Sequence, residues 1–127
     1  MNPFFIVLSA GYIFGIFFWA DSPALSKISE FNLFSLLHVP FYGIMTGLLL
    51  LAFASRGKTN LNARFVLVAL VATAVGILDE YYQSFIPTRE ASLGDIFLDI
   101  VGASLVMALA YRFPPYLWIN LLKKLKI

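Results

Sequence analysis

The chain has 127 residues, of which 61% are hydrophobic and 13% charged, and its mean hydropathy is +0.86. This length predicts a single domain, and the apolar composition is typical of an integral membrane protein rather than a soluble one. The net charge of +2 comes without a long basic run, so nothing indicates nucleic acid as a partner. The absence of cysteine excludes disulfides and thiolate metal sites.

Four apolar segments follow one another along the chain, each close to the roughly 20 residues that a membrane-spanning helix needs. They cover residues 4–20, 33–54, 65–82 and 92–113, and the double proline Pro114–Pro115 ends the fourth. The tail then places Tyr116 and Trp118 among lysines. We therefore predict an all-α bundle of four transmembrane helices (residues 1–113). A basic juxtamembrane tail (residues 114–127) should form an interfacial amphipathic helix.

The basic residues predict the orientation of these spans. With a cytoplasmic N-terminus, the outer side carries only Lys27 and Arg89. The inner side then carries the other seven of the nine basic residues, namely Arg56, Lys58, Arg64, Arg112, Lys123, Lys124 and Lys126. Cytoplasmic loops of membrane proteins are enriched in Lys and Arg. We therefore expect both termini in the cytoplasm.

Polar residues that are far apart in the chain should meet near the outer surface. The stretch 79–99 holds five of the seven acidic residues, and the only histidine, His38, lies near the outer end of the second span. Helical spacing aligns three sets of residues, each on one face: Ser92, Asp95, Asp99 and Gly102; Gly76, Glu80 and Gln83; His38 and Tyr42. If these faces turn inward, they enclose a small polar pocket.

Ionisable residues within membrane spans are costly and point to function. We assign acid/base roles to Glu80, Asp95 and His38, because histidine exchanges protons near neutral pH. We predict ligand contacts for Arg89, Gln83, Asp99, Tyr42 and Ser92; the planar fork of Arg89 suits a phosphate or carboxylate. These residues are compatible with binding of a ligand without turnover and also with its hydrolysis or transfer.

Two of the acidic residues need no functional role to explain their position. We interpret Asp79 and Glu90 as helix-end residues that face headgroups and water. Carboxylates with one histidine could hold a divalent cation, but soft or borderline ions prefer more nitrogen ligands, so we assign no metal ion and no cofactor.

Two other classes of function compete with a ligand pocket. Intramembrane carboxylates also occur in proton-coupled transporters, although their sites usually lie at the membrane midplane. A structural or assembly partner is the third class, since the G-x-x-x-G pairs Gly11/Gly15 and Gly43/Gly47 permit close helix packing and oligomers.

The chain resembles the VanZ-like family of small bacterial membrane proteins over about residues 4–112. It departs from the usual pattern at Ser35, where a basic residue is common, and at Asp99, where asparagine is common. The shared residues are His38 with Tyr42, then Glu80 and Gln83 as E-x-x-Q, Arg89, and the D-x-x-x-[N/D]-x-x-G pattern from Asp95 to Gly102.

This resemblance implies a multi-pass protein of the bacterial plasma membrane with a role in the cell envelope. The founding member of the family is linked to teicoplanin resistance in glycopeptide-resistance clusters. The expected partners are therefore membrane lipids and a lipid-linked or glycan-like envelope ligand that occupies the polar pocket.

Overall fold

A computed structural model describes residues 2–20, 33–54, 61–87, 91–115, 117, 120 and 124. Within these ranges there are four α-helices and no strand: α1 (Pro3–Ala20), α2 (Leu33–Phe53), α3 (Leu61–Gln83) and α4 (Leu93–Arg112). Each helix is long and apolar enough to cross a membrane. The predicted all-α bundle of a multi-pass membrane protein is confirmed.

The third helix begins earlier than the hydropathy pattern predicts. It starts at Leu61 rather than near Phe65, and it includes Asn62 and Arg64. No glycine or proline interrupts residues 61–64, and an arginine at a helix end can extend its charged group towards the membrane surface. In the C-terminal tail, the described residues 115, 117, 120 and 124 are helical.

The outside of the bundle is apolar, as contact with lipid requires. Large hydrophobic side chains such as Val7, Phe14 and Phe97 are more than 60% exposed. Aliphatic residues and one tyrosine form the interior together with small residues: Tyr42, Met45, Leu49, Leu50, Val68, Ala72, Val75, Ala103 and Ala110.

Helices α2 and α4 run in the same direction and share the most extensive interface in the bundle. Gly102 on α4 lies directly against the backbone of α2, where a Cβ atom would clash with the carbonyl oxygen of Val39. On α2, a Cβ at Gly43 would lie 3.3 Å from a methyl group of Val106. Gly43 and Gly47 thus pack within the chain, and small residues bring the two helices close together.

Helix α1 packs less tightly than the others. Its main polar links to α2 are the Asn2 N–H, which donates to the carbonyl of Ala52 at 2.9 Å, and the Tyr12 hydroxyl, which donates to the carbonyl of Phe41 at 3.2 Å. A Cβ at Gly11 or Gly15 would meet no described atom within 4 Å. This loose packing leaves a cavity between α1 and the rest of the bundle.

Candidate functional site

The polar residues of three helices meet at one end of the bundle. His38 lies in the second turn of α2, Glu80 in the last turn of α3, and Asp95 and Asp99 in the first two turns of α4. None of these four residues is more than 7% exposed. Alternating helix directions place the start of α2 and α4 beside the end of α3, so residues distant in the chain become neighbours.

His38 is the centre of this cluster. Its Nδ1 atom lies 2.7 Å from Asp99 Oδ1, and its Nε2 atom lies 4.0 Å from Asp95 Oδ2. The ring is stacked on Tyr42, with centroids 6.1 Å apart and an interplanar angle of 9°. A carboxylate on one side and an aromatic ring on one face hold the imidazole in a defined orientation.

Glycine makes room for the carboxylate that holds His38. A Cβ atom at Gly76 of α3 would lie 2.8 Å from Asp99 Oδ2. A side chain at this position would therefore force the Asp99 carboxylate to shift.

Glu80 links the end of α3 to the start of α4. Its Oε2 atom accepts a hydrogen bond from the backbone N–H of Ser92 at 2.7 Å. The hydroxyl oxygen of Ser92 accepts from the N–H of Gly94 at 3.0 Å and so caps α4. Ser92 has a structural role that the sequence did not predict, and its contact with a ligand stays a prediction.

Asp79 belongs to the site, and our interpretation of this residue as facing headgroups and water was wrong. It is 2% exposed and accepts a hydrogen bond from the Tyr42 hydroxyl at 3.2 Å. Asp79 continues the buried face formed by Val68, Ala72 and Val75, and helical spacing along this face could have identified it. Glu90 lies outside the described residues.

A cavity of about 320 Å³ reaches this cluster from the side of α1. Its walls include Gly11, Gly15, Ile16, Phe18 and Trp19, and its polar end is formed by His38, Tyr42, Asp79 and Gln83. Phe41 of α2 also lines this cavity. In the sequence, only the spacing of Gly11 and Gly15 indicated that α1 leaves room for a cavity.

Carboxylate oxygens at the site include buried acceptors without a hydrogen-bond partner in the described part of the chain, among them Glu80 Oε1 and Asp99 Oδ2. Buried acceptors without a donor are destabilising by about 1–3 kcal/mol. These oxygens are therefore available to a proton, a cation or a hydrogen-bond donor of a ligand.

Arg89, the predicted clamp for a phosphate or carboxylate, lies outside the described residues, as does Lys27. The structure brings together the other predicted site residues His38, Tyr42, Glu80, Gln83, Ser92, Asp95 and Asp99. What these groups can do chemically is accept hydrogen bonds, exchange protons through His38 and bind positive charge.

Comparisons with family models, with curated proteins and with solved structures gave no match. The resemblance to the VanZ-like family rests on the residue pattern of this chain alone.

Proposed function

We propose that this chain is a bacterial plasma-membrane protein, similar to the VanZ-like family, that binds or processes a lipid-linked or glycan-like ligand of the cell envelope. The polar pocket would open towards the outer leaflet, with both termini in the cytoplasm. The observation that supports this best is the cavity beside α1, because it has apolar walls and a polar end.

The cavity matches an amphipathic molecule in size and in the distribution of its groups. Ligand pockets have volumes of about 300–1,000 Å³ and combine apolar walls with a few convergent polar groups. Ile16, Phe18 and Trp19 provide surface for a hydrocarbon chain, whereas Asp79 and Gln83 face the polar end. A lipid could enter from the membrane without crossing water.

The polar end suits a head group that carries hydroxyl or amide donors. Carboxylate oxygens are acceptors, and Asp79 and the side-chain carbonyl of Gln83, which line the cavity, would receive hydrogen bonds from such a group. His38, held by Asp99, would carry a proton, and Glu80 and Asp95 would be the acid/base groups of any hydrolysis or transfer. A contribution to teicoplanin-type glycopeptide resistance follows from the family resemblance.

The position of the cluster favours this function over transport. His38, Glu80, Asp95 and Asp99 lie within about two turns of the helix ends. Transporter sites usually lie near the membrane midplane, where both sides have alternating access.

Filling the cavity tests the proposal. In Gly15→Leu the new side chain would project into the cavity, because no described atom lies within 4 Å of a Cβ at this position. The matched control Ala10→Leu adds the same side chain on the exposed face of α1. After purification in mild detergent, mass spectrometry of the bound lipids should show at least a tenfold loss for Gly15→Leu and none for Ala10→Leu.

Growth in teicoplanin supplies the cellular readout for the same variants and for Glu80→Gln and Asp95→Asn. We expect Gly15→Leu, Glu80→Gln and Asp95→Asn to lose any protection that the wild-type chain gives, at equal amounts of protein in the membrane. Equal lipid retention by Gly15→Leu and Ala10→Leu, with equal growth, would contradict the proposed pocket.

A further inference from the structure

Three donor atoms from three helices lie close together at the candidate site. A nitrogen of His38, a carboxylate oxygen of Glu80 and a carboxylate oxygen of Asp95 are all within 4.8 Å of one another. All three residues are buried. Two ligands bound tetrahedrally at about 2.1 Å from a zinc ion are about 3.4 Å apart. Movements of roughly 1 Å would bring these atoms onto one ion.

The orientation of His38 is one that a metal-binding histidine adopts. Asp99 Oδ1 lies 2.7 Å from Nδ1, and Asp95 Oδ2 lies 4.0 Å from Nε2, on the other side of the ring. In protein metal sites, the histidine ligand almost always donates its other ring N–H to a carboxylate or carbonyl group. Asp99 occupies the position of the carboxylate that accepts this N–H.

Glu80 provides an independent observation that a ligand belongs here. Its Oε2 atom is held by the Ser92 N–H, whereas Oε1 is buried and has no hydrogen-bond partner among the described residues. The residue is 96% buried, since its exposure is 4%. A buried carboxylate oxygen in this state needs a proton or a cation.

The balance of charge points to a cation. Glu80, Asp95, Asp99 and the neighbouring Asp79 share this buried space with one imidazole in the described part of the chain. A divalent ion would offset two of these negative charges. It would also let an anionic head group approach a site that is otherwise acidic.

We propose that His38, Glu80 and Asp95 bind a divalent transition-metal ion, with Asp99 as the positioning residue for the imidazole. The two carboxylate oxygens suit Mn²⁺, and an imidazole with two carboxylates is also a ligand set that Zn²⁺ accepts. With the ion bound, His38, Glu80 and Asp95 are ligands rather than acid/base groups, and a water in the open coordination position takes that role, as in catalytic zinc sites. The sequence contains the histidine and the carboxylates, but only the tertiary structure brings their donor atoms together and places Asp99 beside the imidazole.

Direct metal binding tests this proposal without reference to the envelope ligand. The full chain, purified in detergent and stripped with a chelator, should take up one equivalent of Zn²⁺ or Mn²⁺ in isothermal titration and elemental analysis. Glu80→Gln and Asp95→Asn should each weaken binding by about 100-fold or more, and Asp99→Asn by about 10- to 100-fold. The control Ser9→Ala removes a buried polar group that lies outside the site and hydrogen-bonds within α1, and we expect its affinity to stay within about threefold of wild type.

A measurement on the wild-type chain tests the site independently of whether the variants fold. Pulsed electron paramagnetic resonance of bound Mn²⁺ should show coupling to one imidazole nitrogen. Failure of the wild-type chain to bind a stoichiometric ion, a bound ion without nitrogen coupling, or equal losses of affinity in Ser9→Ala and Glu80→Gln would each overturn the assignment.

Discussion

At the scale of single residues, the site depends on side chains that hold one another in place. Tyr42 is 1% exposed, stacks on His38 and donates a hydrogen bond to Asp79. It thereby links two polar groups from different helices, one on α2 and one on α3. Tyr42 therefore orients the His38 ring and the Asp79 carboxylate, whatever contact it makes with a ligand.

Tyr42→Phe isolates this hydrogen bond, because the ring and its packing are kept. Loss of the donor to a buried carboxylate should lower the free energy of unfolding by about 1 kcal/mol. Thermal unfolding in detergent, followed by circular dichroism, measures the change. Tyr111→Phe is the control, since Tyr111 is 72% exposed. Equal unfolding temperatures for both variants would show that the hydroxyl of Tyr42 does not stabilise the fold.

At the scale of helices, the crossing of α2 and α4 positions the site. Gly102 contacts the backbone of Val39, which is the neighbour of His38 in the chain. Asp99 is three residues before Gly102 on the same helix face. The close approach of the two backbones therefore brings His38 within 2.7 Å of Asp99.

Gly102→Ala should separate these helices. Its Cβ would lie 2.9 Å from the carbonyl carbon of Val39, so the backbones must move apart. We expect a loss of about 2 kcal/mol in the free energy of unfolding and weaker metal binding, measured by chemical unfolding and titration. Gly11→Ala is the matched control: its Cβ meets no described atom within 4 Å, and alanine favours the helix by roughly 0.5–1 kcal/mol. A neutral Gly102→Ala would contradict the close crossing.

At the scale of the whole molecule, the orientation in the membrane decides which side the pocket serves. The basic residues predict a cytoplasmic connection between α2 and α3. The other end of α3, which carries Glu80 and is followed by Ser84, should then face outward. An outward pocket is a requirement of the proposed envelope function.

Cysteine labelling tests this orientation cleanly, because the chain has no cysteine of its own. In intact cells, a membrane-impermeant maleimide should label Ser84→Cys, an exposed position just after α3. It should label Ser55→Cys, two residues beyond the end of α2 in the sequence, only after the cells are lysed. The reverse pattern would place the pocket on the cytoplasmic side.

The sequence by itself determined the four-helix membrane bundle and the depth of its charges. Apolar stretches of this length must satisfy their backbone hydrogen bonds as helices in lipid, and alternating spans bring the end of α3 level with the starts of α2 and α4. This reasoning was sufficient to identify His38, Glu80 and Asp95 as candidates.

Only the tertiary structure decided which polar groups touch one another. In a helix that is apolar on all sides, such as α1, the residue pattern does not say which face turns inward. The rotation of each helix is set by local fits such as Gly76 beside Asp99 and Gly102 against Val39. These fits placed Asp79 inside the bundle and left the cavity beside α1. They also brought donor atoms of Glu80 and Asp95 to within 4.8 Å of a nitrogen of His38.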